Sequence, residues 1–156
     1  MSNKEDKTNV MRMLEQKKIP YTPHGYEHDG DEAVDALSVA EKIGIPLERI
    51  YKTLVTQGAS GGYFVFVVPG GASLDLKKAA KVAGEKFVVM VKVPELLPLT
   101  GYVRGGCSPI GMKKEFPTYI DRSALDFEKI GISAGKQGEQ LLLDPKILTD
   151  GLGITP

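Results

Sequence analysis

Tyr51-Lys52-Thr53-Leu54-Val55-Thr56-Gln57-Gly58-Ala59-Ser60-Gly61-Gly62-Tyr63-Phe64-Val65-Phe66-Val67-Val68 holds two runs of β-branched and aromatic residues around a glycine-rich break. Such side chains fit the pleated surface of a strand, and glycine supplies the backbone freedom that a tight reversal needs. The segment therefore predicts a β-hairpin over 51–56 and 63–68. A hairpin joins antiparallel neighbours, whereas a parallel pair needs a long crossover, so the centre of the chain argues against a regular βαβ repeat.

The flanks agree with that reading. Val10, Met13 and Leu14 fall at helical spacing behind a Thr8 cap, predicting a helix over about residues 8–18 that stops before Pro20. Tyr21 to Tyr26 reads as a short strand. Ser38-Val39-Ala40-Glu41 has the capping-box pattern, predicting a short helix that opens there and ends at Gly44, after an acidic loop over 27–35. Leu76, Ala79, Ala80 and Ala83 follow the i, i+3, i+4, i+7 rule between an Asp75 cap and a Gly84 stop. That stripe leaves Lys77, Lys78 and Lys81 off the apolar face. Phe87 to Met90 predicts a strand and Pro94 to Leu97 a short helix ending before Pro98. Thr118–Asp121, Lys129–Ser133 and Glu139–Leu143 predict three more strands, the last two joined by Gly135-Lys136-Gln137-Gly138. Asp144-Pro145 then opens a final helix with an N-cap and a proline at its first position. The fold class is α+β: one domain over residues 1–156 with a mixed, largely antiparallel sheet surrounded by helices, and a flexible lead-in over 1–7.

Composition narrows the function. The 156 residues are 42% hydrophobic and 26% charged, an ordinary globular balance. No apolar run approaches the roughly 18 residues of a membrane helix, and no signal-peptide core follows Met1, so the expected address is the cytoplasm. Formal net charge is zero, yet residues 77–114 carry 8 basic against 2 acidic groups. A local basic stretch of this kind leaves a phosphate or RNA contact open, beside the plainer reading of lysines that solvate a helix face.

Few groups are available for catalysis. His24 and His28 flank a glycine and lack further ligands nearby, so no metal or other cofactor is expected. Gly101-Tyr102-Val103-Arg104-Gly105-Gly106-Cys107-Ser108-Pro109-Ile110-Gly111-Met112-Lys113-Lys114 packs four glycines and a proline between basic residues. Backbone N–H groups in such a bend can cradle an anion or a developing oxyanion. It is not a nucleophile elbow, because Ile110 stands where Gly-x-Ser-x-Gly needs its last glycine, and phosphate-loop and dinucleotide glycine patterns are absent. Cys107, the single cysteine, is either a nucleophile among backbone donors or a small packing residue. Lys52 sits inside an apolar strand, on the face of Leu54, and there it either meets solvent or lines a pocket.

Five stretches taken together carry a resemblance: 51–55, Leu74-Asp75-Leu76-Lys77-Lys78-Ala79-Ala80-Lys81, Thr100-Gly101-Tyr102, Gly105–Gly111 and Ser133-Ala134-Gly135-Lys136. In order and spacing, over about residues 8–148, the chain resembles the YbaK-type Cys-tRNA(Pro) deacylase family, which includes the editing domain inserted in bacterial prolyl-tRNA synthetases. The resemblance implies that family's fold, with a partly barrel-like sheet. It implies cleavage of the ester between a mischarged amino acid and the 3′-terminal adenosine of tRNA, without metal or cofactor. Lys52 then matches the critical lysine, Gly105 and Gly106 the oxyanion donors, and Ser108 and Pro109 the pocket-lining loop. Tyr26 and Ser133 match substrate-binding positions nearby. In the Cys-specific branch the substrate's own thiol attacks its carbonyl, which reduces Cys107 to packing. The implied partners are mischarged tRNA and prolyl-tRNA synthetase. Other readings remain: deacylation of another species such as Ala-tRNA(Pro), a non-catalytic tRNA-binding module, or a small-nucleotide binder.

Overall fold

The computed structural model describes residues 8–26, 36–71, 74–102, 107–110, 112, 116–135 and 138–146. The central hairpin forms as its composition requires. Strand β2 (Tyr51–Gly58) runs antiparallel to β3 (Tyr63–Pro69), with Tyr51 opposite Pro69 and Gln57 opposite Tyr63. Gly61, at φ 95°, turns the chain, and Gly58 N–H donates to the Gly62 carbonyl at 2.8 Å to close the reversal.

Two more strands widen this hairpin into a four-stranded sheet. β4 (Val88–Met90) pairs antiparallel with the far end of β2, and β5 (Thr118–Ile120) pairs parallel with β3. The second sheet is antiparallel throughout: β1 (Thr22–Gly25), β7 (Glu139–Leu143) and β6 (Ile130–Ser133), in that spatial order. The sheets meet at one parallel bridge, between Ile50 and Gly131. A Cβ on Gly131 would lie 2.9 Å from Ile50 Cδ1, so only glycine lets the strands approach there without a shift. The described strands thus pair as two bridged sheets, and closure into a barrel is not part of that pairing.

The helices cover the sheets. α1 (Asn9–Gln16) buries Val10, Met11 and Leu14, and the Thr8 hydroxyl caps it by accepting from Met11 N–H at 3.2 Å. α2 spans Ala36–Ile43 and ends at Gly44, whose φ is 73°. It begins two residues before Ser38, which is therefore helical rather than the cap: the helix-forming Ala36-Leu37 pair extends the helix past the box pattern. α3 (Leu76–Ala83) is capped by Asp75, whose carboxylate accepts from Lys77 and Lys78 N–H, both at 3.1 Å, and it ends on left-handed Gly84. Ala79 and Ala80 are its buried residues, whereas Leu76, at the start of the expected apolar stripe, is 41% exposed. α4 spans Val93–Thr100 and includes Pro98, beyond the stop expected from that proline. The last turn holds because the Thr100 hydroxyl donates to the Leu96 carbonyl at 2.8 Å and Gly101 N–H donates to that of Leu97 at 2.8 Å. Asp144 accepts from Lys146 N–H at 2.9 Å, as a cap should; the body of the final helix, like the lead-in 1–7 and the acidic loop 27–35, lies outside the described residues.

Alternation along β2 divides the core. Tyr51 and Val55 point into the main core with Val65, Val67, Ile130, Ile132, Leu141 and Leu143. Leu54 packs on the opposite side, with Phe66, Val68 and the α3 alanines.

Candidate functional site

Lys52 shares the Leu54 face. It is half-buried and stands opposite Val68. Its neighbour Tyr51 fixes the strand from the other side, being 2% exposed with its hydroxyl 2.6 Å from that of Ser123. A lysine on a strand anchored in this way keeps its Cα in place while its side chain stays on the smaller face.

The bridge between the sheets then determines what Lys52 can meet. Side chains two residues apart on a strand share a face, so Ile50 and Lys52 point one way, as do Gly131 and Ser133. Because Ile50 and Gly131 are partners in the bridge, Lys52 and Ser133 lie on a common face of the joined sheets. The row continues across the second sheet. Ser133 stands opposite Gln140, and Gln140 opposite His24. Tyr26 extends the β1 side of the row, its N–H donating to the Gly138 carbonyl at 2.8 Å. Three of the residues singled out from sequence, Tyr26, Lys52 and Ser133, thus come to one face from three separate parts of the chain.

Gln140 was not singled out from the sequence. It is 6% exposed, and its side-chain oxygen has no hydrogen-bond partner among the described residues. A buried carbonyl oxygen without a partner costs about 1–3 kcal/mol. The available signal was one amide side chain in an otherwise apolar strand, Gln140-Leu141-Leu142-Leu143, but only the register placed it beside Ser133. The Ser133 hydroxyl itself accepts from Gly135 N–H at 3.1 Å and shapes the turn that follows.

The glycine loop is described at 107–110; Gly105 and Gly106 lie outside the described residues. Cys107 and Ile110 are buried in the main core, in the same cluster as Tyr51 and Val55. Ser108 is fully buried, and its hydroxyl accepts from Ile110 N–H at 3.3 Å, which shapes the loop; Pro109 is half-buried. Tyr102 ties the region together. Its hydroxyl donates to the Ile110 carbonyl, and its ring edge lies 3.3 Å from where a Cβ on Gly135 would stand. Through Tyr102 the loop rests against the turn that Ser133 begins.

Burial also decides the chemistry of this region. It pushes the Cys107 thiol up from 9.0 to about 12, against the opposing pull of a hydrogen bond from Thr100. It raises the Tyr102 phenol to about 12 as well, with the Cys107 charge adding to the effect. Both groups are protonated near neutral pH. Among the described residues no group of three or more His, Cys, Asp or Glu side chains is placed to hold a metal ion.

The chain matches the family model of the aminoacyl-tRNA editing domain over residues 31–150. It is 50% identical over 144 residues to EbsC of Enterococcus faecalis, assigned as a Cys-tRNA(Pro)/Cys-tRNA(Cys) deacylase, covering 92% of this chain and 87% of that one. It is 31% identical over 107 residues to the proline–tRNA ligase of Fervidobacterium nodosum, covering 62% of this chain and 18% of the ligase. A solved structure described as a trans-editing enzyme for prolyl-tRNA synthetase superposes with a TM-score of 0.79 at 26% identity, covering 94% of this chain and 90% of that one. With a matching fold, a family model that spans most of its length and a relative at 50% identity, this chain belongs to the aminoacyl-tRNA editing domain family.

Proposed function

We propose that this protein is a trans-editing deacylase that removes cysteine from mischarged Cys-tRNA(Pro). The observation that supports the reading is register: strand pairing aligns the positions of Tyr26, Lys52 and Ser133 along one face of an editing-domain fold, while the single cysteine is buried in the core and kept protonated there. A protein without a ready thiolate needs a nucleophile from elsewhere, and the substrate carries one. The cysteinyl thiol attacks its own ester carbonyl, the C–S bond forms as the C–O bond to the ribose breaks, and the thiol proton passes to the departing 3′-oxygen. Cysteine thiolactone leaves and hydrolyses in water. Serine is a poorer nucleophile and alanine has none, so discrimination follows from the ligand's chemistry.

The protein's part is orientation and electrostatics. Lys52 donates to the terminal adenosine or the ester carbonyl and steadies negative charge there. Gly105 and Gly106 N–H groups serve as oxyanion donors, Ser108 and Pro109 shape the loop wall, and Tyr26 and Ser133 bind the aminoacyl-adenosine. The match of 62% of this chain to 18% of a proline–tRNA ligase supports prolyl-tRNA synthetase as the cytoplasmic partner whose errors this chain corrects. No described helix is long and apolar enough to cross a membrane.

The test is release of amino acid from Cys-, Ala- and Ser-tRNA(Pro) by the purified chain. Cys-tRNA(Pro) should be cleared fastest. Lys52→Ala should lower the rate by roughly 10²–10³-fold, the scale of losing a transition-state donor, with an unchanged circular dichroism spectrum. Full activity in that variant removes Lys52 from the mechanism, and faster clearance of Ala-tRNA(Pro) replaces the substrate.

A further inference from the structure

A second surface lies at the other end of β2. Leu76, Lys77, Ala80 and Lys81 of α3 and the segment Glu85-Lys86-Phe87-Val88 line an open groove of about 420 Å³. Phe87 is 55% exposed along it, and all three lysines are exposed. Glu85, the one acid in the lining, is already engaged: its carboxylate accepts from Ser60 N–H at 2.9 Å and from the Ser60 hydroxyl at 2.7 Å. Among the described residues no carboxylate pairs with Lys77, Lys81 or Lys86, so the groove presents three ammonium groups beside an aromatic face. Lysine is depleted from protein–protein interface cores, whereas lysines beside an exposed aromatic ring suit the phosphates and bases of a single strand.

Its position fits the same partner. α3 covers the face of the hairpin that Lys52 shares, and Val88 pairs with Gly58, six residues along β2 from Lys52. Six residues of strand span roughly 20 Å. With the terminal adenosine at Lys52, that span suits the few unpaired nucleotides that precede it in a tRNA. We propose that the α3–β4 groove holds the single-stranded RNA backbone just upstream of the aminoacyl-adenosine, with Lys77, Lys81 and Lys86 on phosphates and Phe87 under a base. This rests on the deacylase reading for the identity of the RNA.

The experiment compares the wild type with the triple variant Lys77→Glu/Lys81→Glu/Lys86→Glu and with Phe87→Ala, in binding to uncharged tRNA and in turnover. The triple variant should bind tRNA at least tenfold more weakly and raise KM for Cys-tRNA(Pro) equally at unchanged kcat. It should also lower the slope of log affinity against log salt by about 2, the value for three phosphate contacts on a single strand. Cleavage of cysteinyl-adenosine, which has no upstream nucleotides, should not change. Phe87→Ala should weaken tRNA binding by roughly five- to tenfold, the loss expected for one stacked base. Unchanged tRNA affinity and salt slope in a folded triple variant overturn the proposal, and so does an equal loss on cysteinyl-adenosine. Lost binding to prolyl-tRNA synthetase with tRNA affinity intact overturns it too. If the wild type cleaves no aminoacyl-tRNA, the uncharged-tRNA comparison still decides the groove, so the two readings fail separately. The triple lysine-to-glutamine variant repeats the comparison should charge reversal disturb α3.

Discussion

A thiol reacts as its thiolate, and Cys107 is held as the thiol by its burial. Folded protein should resist an aromatic disulfide reagent at pH 8 and react with one equivalent per chain once unfolded, and Cys107→Ala should keep most of its deacylase activity. Fast labelling of the folded chain, or an inactive but folded alanine variant, returns the thiol to the mechanism. The same burial makes stability depend on pH. Above about 9 the unfolded chain loses the Cys107 proton while the folded chain keeps it, so this contribution is complete below pH 9 and is lost as pH rises toward 12; Tyr102 adds to the loss above pH 10. Melting temperature should therefore fall across that window, and less steeply in Cys107→Ala. Composition alone left Cys107 between nucleophile and filler, because solvent exposure is a property of the fold and not of the residue.

At the scale of elements, α3 was legible to the residue. Asp75, the alanine stripe and Gly84 are local signals, each acting within one turn of the helix end it controls. Asp75→Ala should cost about 1 kcal/mol in denaturant unfolding, since two N–H groups lose their acceptor, while Asp75→Asn should cost little. Gly84→Ala meets nothing within 4 Å but must adopt φ 74°, so its cost should also be about 1 kcal/mol, from the backbone alone. A loss above 3 kcal/mol in either case points to packing that the structure does not show. α2 and α4 were read less well. Ser38 matched a cap pattern inside a helix that had already begun, and Pro98 was carried by hydroxyl and carbonyl bonds from Thr100, Leu96, Leu97 and Gly101. Their ends depend on contacts that a linear pattern does not encode.

For the molecule as a whole, the Ile50–Gly131 bridge is the joint that brings Lys52 alongside Ser133. Gly131→Ala puts a methyl group 2.9 Å from Ile50 Cδ1 and 3.5 Å from Leu142 Cδ2, so it should destabilise by about 1–3 kcal/mol and lower activity. Ile50→Val in the same chain should recover stability by removing the clashing methyl, which thermal melts of the single and double variants will check. Equal stability of all three chains means the bridge sets no constraint. The sequence by itself determined the central hairpin, the capped helix α3, the closing β6–β7 hairpin and the α+β class, since each is written in residues close along the chain. Lys52, Tyr26 and Ser133 were singled out one by one as site candidates through the resemblance of their surroundings to a known family. The tertiary structure alone decided that strands widely separated in sequence form two sheets meeting at Gly131. It also set Gln140 opposite Ser133 and buried Cys107 and Ile110 in the main core. The physical reason is register: a shift of one residue exchanges the faces of a strand, and long-range packing, rather than local propensity, selects which face each side chain takes.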